Sequence, residues 1–372
     1  MRNKITTVLF LLLLLAGATV HWFKPDRDYS QSEKRVLEQF PEATAKTVFS
    51  GEFGKNMETY LADQFPGRDT WVSLKTVSER ALGKKESGGV YFADDGYLME
   101  VFTAFDEEQI AANVNALLTL QNMADEMNVP MLTMLVPTAP CILSEKLPKY
   151  APNEDQGAVV AFAEEKGLKL CDVTEALSAH GKEYIFYRTD HHWTSRGAYY
   201  AYAAWKQQKG SSPEPLSAWT EKGLSSRFQG TTYAKVNDPF TTFDTILAYY
   251  KTEKHTVSYN NGAYVTDSVY ETKYLDGADK YGVFFNSNQP TTVVKGGGRG
   301  RLLIIKDSYA NCFAQFVVDE YEETHMIDLR FFKNSLREYI ETNGITEILV
   351  LYNIPNFAAD TSVARLGRML GQ

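Results

Sequence analysis

The chain is 372 residues long, enough for one large domain or two of ordinary size, and 44% hydrophobic with 23% charged residues fits a globular protein with a real core. A net charge of −9, with no basic stripe or Lys/Arg cluster, argues against a nucleic-acid partner. The three cysteines, Cys141, Cys171 and Cys312, are too widely spaced for a disulfide framework or a zinc pattern; one Cys141–Cys171 bridge outside the cell fits the sequence, and three unpaired core thiols fit it better.

Arg2 and Lys4 precede an apolar run from Ile5 to Phe23, with five leucines at its centre. A charged start followed by an apolar stretch is the pattern of an export signal. Ala16-Gly17-Ala18 offers a cleavage site, while the 19-residue length also suits an uncleaved membrane anchor, and both readings stand. Either way residues 1–23 place the remainder outside the cytoplasm, tethered or secreted. Residues 24–50, polar and interrupted by Pro25 and Pro41, read as a stalk, and residues 51–372 as the folded domain. Phe53, Met57, Tyr60, Leu61 and Phe65 recur at helical spacing before a Pro66-Gly67 turn. Gly89 to Leu98 reads as a hairpin around Asp95-Gly96.

An α/β alternation follows. Asp106 caps a helix whose buried face is Ile110, Val114, Leu117, Leu118 and Met127. Met131 to Val136 is a short apolar run suited to a buried strand, then a helix near 157–166, and strands at 168–173 and 184–187. Thr194 caps a helix from Ser195 to about Gln208. Residues 209–300, broken by Pro213, Pro215, Pro239 and Pro290 and closed by Gly296-Gly297-Gly298, read as an antiparallel β insertion. Then come a strand at 302–305, a helix opening at Ser308, a strand at 326–329, a helix at about 333–342, a strand at 348–351 and a last helix at about 358–370. Alternating strands and helices predict an α/β fold: a mostly parallel sheet with helices on both faces.

Two segments carry chemistry. Leu302 to Tyr309 runs from a buried strand through a polar turn into a helix, which puts Ser308 at the carboxyl end of a strand, where open α/β sheets bind ligands. A serine needs a base to become a nucleophile; by itself Asp307-Ser308 reads first as a plain helix cap. Thr189 to Thr194 supplies the missing groups. Asp190 and His192 lie two apart, so in an extended chain both side chains point the same way, and the carboxylate can orient the imidazole. The bland alternative is a buried, hydrogen-bonded histidine beside Trp193. A metal site is weaker, because no further His or Cys cluster offers remaining ligands.

On these residues the chain resembles the DHHW family, whose name spells Asp190-His191-His192-Trp193, and through it the alginate O-acetylation proteins AlgJ and AlgX of the SGNH hydrolase-like superfamily. The resemblance takes in Asp63 to Asp69, Asp95 to Leu98, Lys306 to Tyr309 and Leu351 to Asn353. It implies a three-layer α/β/α fold in permuted motif order, with Asp-x-His ahead of the serine. Asp190 then orients, His192 is the base and Ser308 the nucleophile, and Asn356 or Asn353 contributes to the oxyanion hole. By position, Arg330 after its strand reads as a cleft residue or a surface ion pair, and Tyr309 beside the serine as a substrate contact. Lys306 stands where the superfamily usually has a glycine. The implied function is O-acetyl transfer to a cell-surface or secreted polysaccharide, with no cofactor, beside a membrane-bound O-acyltransferase that brings the acetyl group. Acetyl-ester hydrolysis by the same residues, and a non-catalytic polysaccharide-binding role, are the alternatives.

Overall fold

The structure is a computed structural model and describes residues 2–30 and 35–370. It divides into two compact units, Met1–Gly88 with Tyr233–Thr241, and Gly89–Thr232 with Thr242–Gln372.

The first unit has three long helices, α1 (Arg2–Phe23), α2 (Glu52–Asp63) and α3 (Arg68–Ala81). Among the described residues α1 is the one helix long and apolar enough to cross a membrane, and none of its Lys4–His21 window is buried. The stretch expected as a stalk is tied to α2. Buried Asp63 accepts both guanidinium arms of Arg35, at 2.7 and 2.5 Å, and Gln64 Nε2 donates to Arg27 O at 2.9 Å. A carboxylate taken out of water needs such a partner, and Arg35 supplies it in a paired-fork geometry.

The second unit is built on a seven-stranded sheet. Its strands are β1 (Met131–Val136), β4 (Thr256–Tyr259), β5 (Tyr264–Thr266), β6 (Thr291–Lys295), β7 (Arg301–Lys306), β8 (Glu323–Ile327) and β9 (Glu347–Asn353). A separate antiparallel ribbon pairs β2 (Thr220–Phe228) with β3 (Asp244–Tyr250). The order across the large sheet is β5-β4-β6-β8-β7-β9-β1. β1, β9, β7 and β8 are mutually parallel, whereas β6, β4 and β5 run antiparallel. The sheet is therefore mixed rather than mostly parallel. Half of the expected insertion forms part of the main sheet, where β6 covers the edge of β8 that would otherwise leave a row of unpaired backbone groups.

Residues alternate between the faces with period two. Leu302, Ile304, Leu349, Leu351, Met134 and Val136 enter one apolar cluster, together with Trp193, Ala198, Tyr202 and Trp205 of the segment ending in α6 (Ser195–Gln208). Leu303, Ile305, Ile348, Val350 and Leu135 enter the other. There they meet α4 (Glu107–Glu126), α5 (Gln156–Glu165) and α8 (Leu336–Thr342). A strand buried on both faces has no polar side, which is why these runs read as continuous hydrophobic stretches. Caps set the helix starts as expected: Asp106 accepts from Gln109 N at 3.0 Å, and Thr194 accepts from Gly197 N at 3.3 Å.

Three elements differ from the sequence reading. The strands expected at 168–173 and 184–187 shrink to single bridges, Thr133↔Leu170 and Phe186↔Trp193. The last helix begins early, as α9 (Ile354–Ala359), because Asn353 caps it and Pro355 sits in its first turn. It is then interrupted where Asp360 accepts from the N–H and hydroxyl of Ser362, at 2.8 and 2.6 Å. All three cysteines are free.

Gly197 lets α6 lie close against the chain that precedes it. A Cβ there would stand 2.3 Å from Ile185 O and 3.2 Å from Trp193 Cβ. Gly197→Ala is expected to destabilise the fold by about 1–3 kcal/mol despite alanine's better helix propensity. A thermal melt checks this, and an unchanged midpoint would mean that the approach is looser than these distances.

Candidate active site

The carboxyl ends of the parallel strands are in register, with Lys306 level with Leu351 and Asn353 level with Val136. Asp307 and Ser308 therefore emerge directly above the sheet, and Ser308 is the residue before α7 (Tyr309–Ala314). The Thr189–Thr194 loop closes over the same place. His192 Nε2 lies 2.7 Å from Ser308 Oγ, and His192 Nδ1 lies 2.5 Å from Asp190 Oδ1. A proton on Nδ1 facing the carboxylate leaves Nε2 as the acceptor for the serine hydroxyl. The arrangement can thus draw a proton from Ser308 while Asp190 offsets the charge that appears on the ring.

Asp190 is buried, and its other oxygen is held from the far side by Thr231. The Thr231 N–H donates to Oδ2 at 2.7 Å and its hydroxyl at 3.2 Å, while the His192 N–H donates to Oδ1 at 3.0 Å. The loop leading in is fixed by a second buried carboxylate. Asp244 accepts from Arg188 N, Thr189 N, Thr189 Oγ1 and Tyr184 OH, at 3.0, 2.8, 2.6 and 2.5 Å. Burial pushes the Asp244 pKa up, and these four donors pull it back.

The remaining candidates fall around this chain of contacts. His191 turns aside, with Nδ1 at 2.6 Å from Thr231 Oγ1. Asn353 and Asn356 do not stand free: Asn353 Nδ2 and N, and Asn356 Nδ2, all donate to Asp307 Oδ2, at 2.6, 2.9 and 3.1 Å. Asp307 Oδ1 takes the Tyr309 N–H at 2.9 Å, so the carboxylate before the serine organises its turn and both amides. Its burial raises its pKa, against those hydrogen bonds and the nearby Arg330. Arg330 itself grips the buried carboxylate of Asp328, at 2.9 and 2.5 Å, with about a third of the arginine side chain exposed. Tyr309, expected as a substrate contact, is wholly buried. Its hydroxyl donates to His191 O at 2.5 Å, which makes it a support beneath the loop. Trp193 Nε1 returns a bond to Tyr309 O at 3.0 Å. The Ser308 N–H has no hydrogen-bond partner among the described residues, so it is available to a ligand.

Asp190, His191 and His192 are also the group of metal-ligating side chains gathered within 4.8 Å among the described residues. Protein partners already engage both ring nitrogens of His192 and Nδ1 of His191. The three side chains thus form one hydrogen-bonded chain with Ser308 and Thr231.

Thr231, Asp244 and Tyr281, whose ring lies 3.7 Å from that of His192, escape sequence reasoning. All three come from the 209–300 segment, and a β-rich pattern does not say which of its turns faces the sheet. The one local hint is Gly230-Thr231-Thr232, small residues leading into the Thr231–Val236 helix.

A family model described as DHHW protein matches residues 81–327. No curated protein matches the sequence. Among solved structures, the chain is similar to a DHHW family protein from Eubacterium siraeum, at 23% identity over 76% of this chain and 96% of that one, with a TM-score of 0.63. It is similar to PatB1 of Bacillus cereus with a sulfonyl adduct, at 20% identity over 74% and 97%, with a TM-score of 0.62. The fold is shared with these two. A looser likeness, with a TM-score of 0.48 and 14% identity over 75% of this chain and 99% of the other, reaches the O-acetyltransferase domain of Pseudomonas putida AlgJ.

A methyl group at Gly230 would lie 2.1 Å from both Cβ and Oδ2 of Asp190. Gly230→Ala is therefore expected to push the carboxylate off His192 and to slow Ser308 labelling by a fluorophosphonate about 10²-fold. Labelling at the unsubstituted rate would show that the carboxylate's position does not govern the serine.

Proposed function

This chain belongs to the DHHW family, and on that ground we propose that it transfers acyl groups, acetyl in the first instance, to the hydroxyls of a cell-surface or secreted polysaccharide. The single observation that carries the reading is the 2.7 Å contact between Ser308 Oγ and His192 Nε2, backed by Asp190. Ser308 Oγ attacks the carbonyl carbon of an acyl ester as His192 takes the hydroxyl proton. The tetrahedral oxyanion collapses, the donor's alcohol leaves with the proton from His192, and the acyl group stays on Ser308. A sugar hydroxyl then attacks the acyl-serine, giving its proton to His192, and Ser308 leaves with that proton. In this reading the Ser308 N–H donates to the oxyanion, and the remaining N–H of the Asn356 amide is the second donor. In the same reading Arg330, about a third exposed and near Asp307, binds the acceptor.

The same reading takes the fold as an SGNH-like α/β/α sandwich in permuted order, with the Asp-x-His loop before the serine. The apolar helix Lys4–His21 behind Arg2 and Lys4 supports export with the positive end inside, as a signal-anchor. An extracytoplasmic site has no ready supply of an acyl thioester. A membrane-bound O-acyltransferase that carries acetyl across the bilayer is the partner this chemistry calls for.

The test is transfer of acetyl from a chromogenic ester to an oligosaccharide by the full chain, with hydrolysis measured alongside. Ser308→Ala and His192→Ala are expected to lower transfer by at least about 10³-fold, and Asp190→Asn by about 10⁴-fold through loss of the working tautomer. A sulfonyl fluoride, suggested by the adduct in the PatB1 structure, should modify Ser308 and nothing in Ser308→Ala. Undiminished transfer by Ser308→Ala sinks the reading, and ester cleavage that never partitions to the sugar turns it into hydrolysis.

A further inference from the structure

The imidazole of His192 is held at both nitrogens, yet two in-plane hydrogen bonds leave the ring free to tilt about the line that joins them. A third contact removes that freedom. Tyr281 lies in a single helical turn, Lys280–Val283, deep in the 209–300 segment. Its ring stacks on His192, with centroids 3.7 Å apart and planes within 11°. The same residue reaches the nucleophile, because its hydroxyl donates to Ser308 O at 3.0 Å. Tyr281 is 4% exposed, with its ring braced by Tyr187 and Phe284 at 6.4 and 5.3 Å. It cannot swing away without opening the core.

We propose that Tyr281 is a positioning residue for the base: its stacked ring fixes the imidazole plane in which Asp190 and Ser308 are both reached, and its face stabilises the imidazolium that forms as Ser308 gives up its proton. The inference rests on the acyl-transfer reading of Ser308 and His192 and gives the 209–300 segment a part in that chemistry. An aromatic face attracts a cation through its quadrupole, most strongly where water is excluded, so the stack favours the charged ring over the neutral one. Burial holds the Tyr281 phenol well above its ordinary pKa, so it stays a neutral donor. Among the described residues, the groups seen against His192 include Asp190 and His191 from its own loop and Ser308 and Tyr309 from the turn into α7, with Cys312 one helical turn further, against Tyr281. Of these, Asp190 is the carboxylate in direct contact, and Tyr281 gives the closest parallel ring.

The sign follows from the stack. A contact that favours imidazolium raises the pKa of His192, so removing it lowers that pKa and lets the neutral base persist to lower pH. In the full chain, Tyr281→Leu is expected to cut kcat about 10–100-fold with KM little changed, and to move the acid limb of kcat/KM down by about half a pH unit. Tyr281→Phe keeps the ring and loses the bond to Ser308 O; it is expected to recover most of the rate, to within about tenfold of the unsubstituted chain. The His192 ring resonance, assigned by its loss in His192→Gln, should titrate lower in Tyr281→Leu and near its original position in Tyr281→Phe. That titration needs no turnover, so it separates failure of this inference from failure of the acyl-transfer reading, which Ser308→Ala decides. A leucine variant with unchanged rate and unmoved titration overturns the proposal. So does a phenylalanine variant as slow as Ser308→Ala, since the stack survives in it. Should Tyr281→Leu not fold by circular dichroism, Tyr281→Met carries the same comparison, and the phenylalanine result stands by itself.

Discussion

The site depends on a reciprocal clasp between two segments 116 residues apart. Trp193 Nε1 donates to Tyr309 O in the buried core, and the Tyr309 hydroxyl donates to His191 O at its partly exposed margin. A buried hydrogen bond adds modestly when made, but leaving its partner unpaired costs about 1–3 kcal/mol. Neither segment can slide without orphaning a group on the other. Between the two bonds sit the residues that meet, His192 and Ser308. Their 2.7 Å separation is thus a consequence of backbone positions fixed by the bulky aromatic neighbours, and it does not rely on the His–Ser bond to hold itself together. The sheet supplies the floor: in-register parallel strands stop at one level, so the Asp307-Ser308 turn has only one place to emerge.

A buried carboxylate must be paired or hydrogen-bonded to stay ionised. Asp190, Asp244 and Asp307 each solve this with backbone N–H groups more than with cations. The choice has a geometric consequence. A cation on a long side chain would follow the carboxylate as it moved, whereas a backbone N–H is fixed by the fold and fixes the carboxylate in turn. Through Thr231, Asp244 and Tyr281, the 209–300 segment grips the Asp-x-His loop from three directions. Its strands β4, β5 and β6 complete the large sheet, so this part of the segment belongs to the framework.

What could be read in the sequence is what local chemistry encodes. The apolar run 302–306 followed by Asp-Ser, the caps at Asp106 and Thr194, and the Asp190/His192 spacing are all short-range statements; both caps form, and Asp190, His192 and Ser308 meet. The reading loses force where the decision is made at long range. Short apolar runs such as 168–173 and 184–187 fit a strand or a buried loop equally well, and only the available sheet edge decides. The antiparallel pairing of β6 with β8 follows from where the chain returns, which no periodicity records. Tyr309 shows the same limit at one residue: a tyrosine next to a serine looks like a substrate contact until Trp193 and His191 are found packed over it.

Lys306 shows how one buried cation draws its surroundings together. Its position at the end of β7 gives it the parity of Leu302 and Ile304, so an ammonium points into a buried region, and burial pulls its pKa down to about 8. The group is satisfied by Asn288 Oδ1 at 2.9 Å and by Asp328, 4.0 Å away, whose own charge is shared with Arg330. Asn288 reaches Lys306 only because the chain before it is tightly curled. Phe285, Asn286 and Ser287 have φ of 52°, 58° and 62°, a left-handed run that costs an L-residue other than Asn or Gly roughly 1–2 kcal/mol. The curl is compensated locally. Phe285 is fully buried, Asn286 Oδ1 accepts from Tyr274 OH, and Ser287 N bonds back to Gly282 O. The lysine ties the strand that leads to Ser308 to the same segment that carries Tyr281, so His192 and Ser308 are supported through one stretch of chain.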